Sequence, residues 1–225
     1  MIWLPVLANA QKPLFMKEFS AVNSWFFARP QAVLVQKYVY YKDSAMVSPS
    51  DSAVCTIAKN GTAIHYKITG LESFSDKGYM VKISHADKYL YVSKTAQVDT
   101  ATLNAIFNEG FSSFTTFSRS AGAKGLVKWE LKGGVAGVNS AILLIDLPGH
   151  QIKSLQINMS ADNALISPYQ KKGQPVVVKV LYQYYNAIPK GETENLSDYI
   201  SISGSNITPA AKYKGYTIKL FADTK

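Results

Sequence analysis

The chain has 225 residues, a formal net charge of +9 and a pI near 9.4. This length fits one domain of an all-β sandwich or barrel and is long enough to bury a substantial core. Hydrophobic residues make up 47% and charged residues 17%, which excludes wholesale disorder. The lysines are scattered singly and Arg29 and Arg119 are the only arginines, so nucleic acid is not an expected partner.

The first ten residues predict export. Residues 2–10 form an apolar run that closes on Ala8-Asn9-Ala10, a pattern typical of the end of a signal peptide, with cleavage after Ala10. We therefore interpret residues 1–10 as a signal-peptide remnant and residues 11–225 as a single domain located in the periplasm or otherwise exported. A buried N-terminal strand is the alternative interpretation. No stretch reaches the ~18 apolar residues that a transmembrane helix needs, so a membrane span is not predicted.

An amphipathic helix is predicted next, over residues 16–28. Met16, Phe19, Val22 and Phe26 recur at helical spacing, and Pro30 ends the pattern. The remaining elements read mostly as strands. They are predicted at residues 32–41, 53–59, 62–71, 78–84, 89–94, 125–131, 140–146, 151–157, 176–186 and 215–221.

Three tight hairpins connect some of these strands. Asn60-Gly61 predicts a type I′ turn, in which both central residues have positive φ. Residues 85–88 form a second turn, and residues 147–150, with Pro148 before Gly149, predict a third of type II. Alternation in residues 62–71 places Tyr66 on the packed face and His65 on the solvent face.

A second helix interrupts the strands at residues 99–110, where Leu103, Ile106 and Phe107 repeat at helical spacing. Its simplest location is across the concave face of the sheet. The predicted fold is therefore mainly β (α+β). It is a curved antiparallel sheet forming an unclosed half-barrel, with one N-terminal helix and one inner helix.

Catalytic and metal-binding motifs are missing from the sequence. His65, His85 and His150 have no metal-ligand spacing, and Cys55 is the single cysteine, so neither a metal nor another cofactor is expected. Pairs of carboxylates could in principle serve glycoside hydrolysis, but a sequence does not give their separation. We therefore expect a protein that is not an enzyme.

The segment 59–94 resembles the periplasmic lipoprotein carriers of the LolA and LolB type. Asn60-Gly61 is followed there by Tyr66-Lys67-Ile68-Thr69-Gly70-Leu71-Glu72, and then by Tyr79-Met80-Val81-Lys82-Ile83 with Tyr89-Leu90-Tyr91-Val92. A weaker match is Val127-Lys128-Trp129-Glu130-Leu131. The resemblance implies an unclosed barrel with a helical lid and an apolar cavity.

These observations predict a protein that binds an apolar ligand, either a lipid or the acyl chain of a lipoprotein, in the concavity of the half-barrel. The predicted lining residues are Tyr66, Ile68, Leu103, Phe107, Phe111, Phe114, Phe117 and Trp129. The alternative is a structural or adaptor component of a bacterial cell-envelope assembly, which binds protein partners through exposed strand edges.

Overall fold

A computed structural model describes residues 5–94, 110–134, 137–160, 176–188 and 194–221, with side chains from residue 11 onward. One long helix, α1 (Pro5–Ala28), precedes the strands. In chain order the strands are β1 (Gln31–Tyr41), β2 (Pro49–Asn60), β3 (Ala63–Ile68), β4 (Leu71–Asp76), β5 (Tyr79–Ser84), β6 (Tyr89–Lys94), β7 (Thr116–Ala121), β8 (Val127–Lys132), β9 (Val138–Asp146), β10 (Gln151–Met159), β11 (Val176–Tyr185), β12 (Ile200–Ser203), β13 (Asn206–Pro209) and β14 (Thr217–Phe221).

Twelve of these strands pair in the order β14-β6-β5-β4-β3-β2-β1-β11-β10-β9-β8-β7, and β12 pairs with β13 in a separate hairpin. The order ends at β14 and β7, which are not neighbours within the described part of the chain, so the sheet is not closed. The predicted fold class, a mainly β unclosed half-barrel, is confirmed. One pair departs from the antiparallel expectation, because β14 runs parallel to β6.

The chain divides into two compact units that interleave along the sequence. The first unit contains residues 1–28, 36–53 and 100–183, and the second contains residues 29–35, 54–99 and 184–225. Strands β1 and β2 each contribute residues to both units.

The core of the first unit forms where α1 meets β7 to β10. The predicted helix is confirmed, although it begins at Pro5 rather than at residue 16 and contains Pro13. It ends at Ala28, because the residue before a proline is disfavoured in the helical region. The buried side chains are those of Phe15, Phe19, Val22, Phe114, Phe117, Trp129, Leu131, Ala141, Leu143, Ile145 and Ile152.

The core of the second unit forms between the β3–β6 meander and the C-terminal segment. Phe74, Val81 and Leu90 from the meander are buried together with Tyr199 and Tyr213 from that segment. The ring of Phe74 stacks on the ring of Tyr199 with centroids 4.7 Å apart. One face of the meander is therefore covered by the chain's own C-terminal residues.

Two of the three predicted turns differ in detail. Asn60 pairs with Ala63, so the loop is Gly61-Thr62, and only Gly61 has a positive φ, of 62°. The type I′ prediction is therefore wrong. In the third turn the positive φ, of 51°, belongs to His150 and not to Gly149, so the type II prediction is also wrong. The turn at residues 85–88 is confirmed, since Ser84 pairs with Tyr89.

Gly149 lies close to the Asp146 side chain, which would have to move if position 149 carried a side chain. The Gly149 N–H donates to Asp146 Oδ1 at 2.9 Å, and a Cβ at this position would lie 2.5 Å from Asp146 Oδ2.

Four strands, β4, β7, β12 and β13, were not predicted. The strand predicted at residues 62–71 ends at Ile68 as β3, and Gly70, with φ of 80°, turns the chain into β4. Strand β7 is polar along most of its length and carries no alternation that indicates a strand. The predicted inner helix lies outside the described residues except at Gly110, and residues 110–112 are helical.

Candidate functional site

Three of the predicted lining residues are buried in the core of the first unit. Phe114, Phe117 and Trp129 pack in one cluster with α1. Within this cluster the rings of Phe15 and Trp129 meet edge to face, with centroids 5.3 Å apart. Phe111 is half-buried, and its ring contacts that of Phe19 at 4.7 Å.

A polar contact anchors Trp129 within this cluster. Its indole Nε1–H donates to Glu18 Oε2 at 2.8 Å, and the same carboxylate pairs with Arg119 at 3.1 Å. Helix α1 and strands β7 and β8 are therefore joined through one carboxylate. A ligand-lining role for these aromatic residues stays a prediction.

The other predicted residues are divided between the second unit and the part of the chain that is not described. Tyr66 and Ile68 both lie on β3 and are half-buried. Leu103 and Phe107 lie outside the described residues.

The second unit contains a pocket of about 300 Å³, and Ile68 lines it. Its wall is formed by Val54, Thr56, Lys67, Ile68, Thr69, Gly70, Leu71, Glu72 and His85. Val54 and Leu71 are 49% and 47% exposed, which leaves apolar surface open to solvent there. The side chains of Lys67, Glu72 and His85 form another part of the wall. The pocket therefore has an apolar side and a polar side.

A carboxylate at this wall, that of Glu72, is buried. Alternation in β4 places Glu72 on the same face as Phe74, and Glu72 is only 6% exposed. Its Oε1 contacts His65 Nε2 at 3.1 Å, and its Oε2 contacts His85 Nε2 at 3.0 Å. The hydrogen bond from His65, assisted by that from His85 and opposed by burial, lowers the pKa of Glu72 to about 2.

A second carboxylate, that of Glu194, approaches the same imidazole from the other side. His65 Nδ1 lies 3.1 Å from Glu194 Oε2, and Lys212 Nζ lies 2.9 Å from Glu194 Oε1. The Tyr199 hydroxyl donates a hydrogen bond to Glu194 Oε2 and lies 3.4 Å from Glu72 Oε1. We call His65, Glu72, His85, Glu194, Tyr199 and Lys212 the polar cluster.

Carboxylate oxygens lie beside both ring nitrogens of His65, at 3.1 Å from Nε2 and 3.1 Å from Nδ1. A neutral imidazole carries one N–H, so it donates to only one of the two carboxylates and leaves the other nitrogen as a lone pair. A neutral imidazole suits both contacts of His85, because its Nε2–H can donate to Glu72 while its Nδ1 accepts from the Tyr216 hydroxyl at 3.0 Å.

Glu72 is poorly suited to act as a general base near neutral pH. A general base works best when its pKa lies near the operating pH, and Glu72, with a pKa of about 2, lies far below that range. Both oxygens of Glu72 also face imidazole nitrogens.

The sequence-based interpretation of His65 was wrong. His65 is not on a solvent face, since its side chain is 18% exposed and its ring lies 6.2 Å from that of Tyr199. The C-terminal segment covers the face of the sheet that carries His65, and Tyr66 lies on the opposite face. Recognition of the turn at Gly70 would have placed positions 65 and 72 on the same face of two adjacent strands.

No family model matches the sequence, and no curated protein matches it. Among solved structures, the chain is similar to an uncharacterized conserved protein from Thermus thermophilus, with 9% identity, a TM-score of 0.40, and coverage of 76% of this chain and 88% of that one. A LolA superfamily protein from Nitrosomonas europaea matches with 9% identity, a TM-score of 0.28, and coverage of 75% and 90%.

A DUF1329 family protein from Desulfovibrio piger matches with 6% identity, a TM-score of 0.35, and coverage of 80% and 94%. None of the described helices is long and apolar enough to cross a membrane.

Proposed function

We propose that this chain is an exported, non-enzymatic protein that binds an apolar ligand, either a lipid or the acyl chain of a lipoprotein. The observation that supports this function is the pocket of the second unit, where Val54 and Leu71 remain half exposed beside Ile68. Pockets of about 300–1,000 Å³ with apolar walls and a few polar groups are typical of small-molecule sites.

The volume of the pocket limits what it holds. A water-sized group takes about 30 Å³ in the liquid, so about 300 Å³ accommodates roughly ten heavy atoms. Full burial of about ten methylenes would contribute at most about 8 kcal/mol at ~0.8 kcal/mol each, before the costs of association. The contribution is smaller here, because Val54 and Leu71 on the wall are half exposed. The pocket therefore takes part of a long acyl chain. Lys67 and His85 on the polar side of the wall would face an anionic headgroup.

The test is titration of the purified full chain with an environment-sensitive fluorescent fatty acid, together with mass spectrometry for co-purified lipid. Leu71→Asp places a charge on the apolar wall, and we expect it to weaken binding at least tenfold. Val47→Asp is the matched control, since Val47 is 79% exposed and does not line the pocket. Equal affinities of the two variants, or a wild-type chain that binds no fatty acid and carries no lipid, would contradict the proposal.

One observation favours the alternative of an envelope adaptor. Strand β14 ends the strand order and exposes Leu220 and Phe221, which are 64% and 57% accessible. Apolar side chains on an end strand are typical of surfaces that pair with another chain. Under this alternative, Leu220→Lys would abolish crosslinking to an envelope protein while fatty-acid binding stays unchanged. Crosslinking that survives in the variant would count against it.

A further inference from the structure

We propose that His65, Glu72 and Glu194 form a binding site for a divalent transition-metal ion, with Zn²⁺ as the best fit. One imidazole nitrogen and one oxygen from each carboxylate lie within 4.8 Å of one another. Zinc takes imidazole nitrogen and carboxylate oxygen at about 2.0–2.2 Å, in tetrahedral sites. The site goes beyond ligand binding in the pocket and does not depend on it.

The distances on the inner side of the polar cluster are close to those of such a site. Tetrahedral bonds of about 2.1 Å separate the ligand atoms by about 3.4 Å. His65 Nε2 and Glu72 Oε1 are 3.1 Å apart, and the Tyr199 hydroxyl is 3.4 Å from each of them. Glu194 Oε2 accepts a hydrogen bond from the same hydroxyl. Four polar atoms thus surround one small volume, and Tyr199 or a water would complete the coordination.

The outer oxygens of the two carboxylates are already held in place. Glu72 Oε2 is bound by His85 Nε2 at 3.0 Å, and Glu194 Oε1 is bound by Lys212 Nζ at 2.9 Å. Hydrogen bonds of this kind orient ligating carboxylates in metal sites. Each carboxylate therefore directs one oxygen inward and has the other fixed by a partner, and this arrangement is formed before any ion binds.

The imidazole of His65 is held between the same two carboxylates. Its Nε2 lies 3.1 Å from Glu72 Oε1 and its Nδ1 lies 3.1 Å from Glu194 Oε2. Each ring nitrogen therefore has a carboxylate oxygen beside it with which to share an ion, and the neutral ring leaves one of its nitrogens unprotonated for ligation.

The burial of the ligands favours tight binding over a loose surface contact. The side chains of His65, Glu72 and Glu194 are 18%, 7% and 24% exposed. Two carboxylates balance the charge of a divalent ion, and the low accessibility limits screening by salt. Removal of one carboxylate would leave the ion with an unbalanced charge.

The experiment uses the full chain after treatment with a chelator. Isothermal titration with Zn²⁺ should give one ion per chain, and Co²⁺ should give the intense visible absorption of a four-coordinate site. Glu194→Gln and His65→Gln should each lower the affinity at least tenfold. Glu130→Gln and His150→Gln are the matched controls. Their side chains lie in the first unit, on β8 and in the 147–150 turn, and they should bind Zn²⁺ like the wild type.

Two results would overturn the proposal. One is equal Zn²⁺ affinity in the His65 or Glu194 variant and in its control. The other is a wild-type chain that binds no Zn²⁺ or Co²⁺ and whose ¹⁵N spectrum shows both nitrogens of His65 protonated with and without added metal. The second result would identify the imidazolium as the permanent cation of the polar cluster. The Co²⁺ spectrum is recorded on the wild type, so it tests the site even if a variant fails to fold. Neither result affects fatty-acid binding, which is measured separately.

Discussion

The contact between Trp129 and Glu18 allows a direct test of what holds α1 to the sheet of the first unit. Trp129 is fully buried, and its Nε1–H has Glu18 Oε2 as acceptor at 2.8 Å. Glu18→Ala removes this acceptor and leaves a buried donor unsatisfied, which costs about 1–3 kcal/mol. The ion pair with Arg119, whose side chain is 37% exposed, adds at most about 1 kcal/mol.

Glu18→Gln separates these two contributions. The amide oxygen of glutamine can still accept from the indole, so only the ion pair is lost and the cost should be about 1 kcal/mol or less. Glu18→Ala should therefore lower the unfolding free energy by about 2–3 kcal/mol, which is clearly more than Glu18→Gln. The measurement is urea unfolding followed by circular dichroism.

A double-mutant cycle with Trp129→Phe isolates the hydrogen bond. Without the indole N–H, Glu18→Ala leaves no donor unsatisfied and should cost about 1–2 kcal/mol less than it does in the wild type. A coupling energy near zero, or equal losses in Glu18→Ala and Glu18→Gln, would refute the assignment of this carboxylate as the acceptor that fixes Trp129.

Two further predictions concern a buried hydroxyl and a close backbone contact. Burial, with the nearby charge of Glu72 in support and Lys212 opposing, raises the pKa of Tyr213 from 10.0 to about 12. The folded state therefore keeps the proton that the unfolded state releases, and about 3 kcal/mol of stability should be lost as the pH rises from 10 to 12. Tyr213→Phe should lack this part of the alkaline loss in unfolding curves, and an unchanged pH dependence would disprove the assignment. Gly134→Ala would place a Cβ 1.6 Å from the Ser113 carbonyl oxygen at a φ of +88°, so a loss of about 3 kcal/mol or more is expected in thermal unfolding. Its control, Gly61→Ala, has a similar φ of +62° with nothing within 4 Å, and should cost about 1 kcal/mol; equal losses would show that the contact with Ser113 is unimportant.

The strands that sequence reasoning located are those in which apolar and β-branched residues dominate. β1, β5, β6 and β11 were found within one or two residues, because their alternation or apolar content is visible in the sequence alone. β4 was missed because the inward residue at its start is a glutamate, which ordinary alternation assigns to solvent. β7 was missed because Phe117 is its single buried residue.

The polar cluster was not predicted from the sequence, because its residues come from strands and a segment whose relative positions were not recognised. Glu72 and His65 lie on adjacent strands, so a correct turn at Gly70 would have placed them on one face. Glu194 and Tyr199 come from the C-terminal segment, and nothing in their local sequence indicates which face they cover. The predictions of turn type were wrong because a shift of one residue in the strand register changes which position of the hairpin has the positive φ.

The interleaving of the two units has a consequence for the order in which the protein folds. The second unit begins near residue 29 and is completed only by β14, whose parallel pairing with β6 joins residues far apart in the chain. Closing such long loops carries an entropy cost that grows with their length, and pairings between distant residues form slowly. During synthesis, His65 and Glu72 emerge well before Glu194, Tyr199 and Lys212. The polar cluster and the cover over the meander are therefore assembled last, after the C-terminal segment has been made.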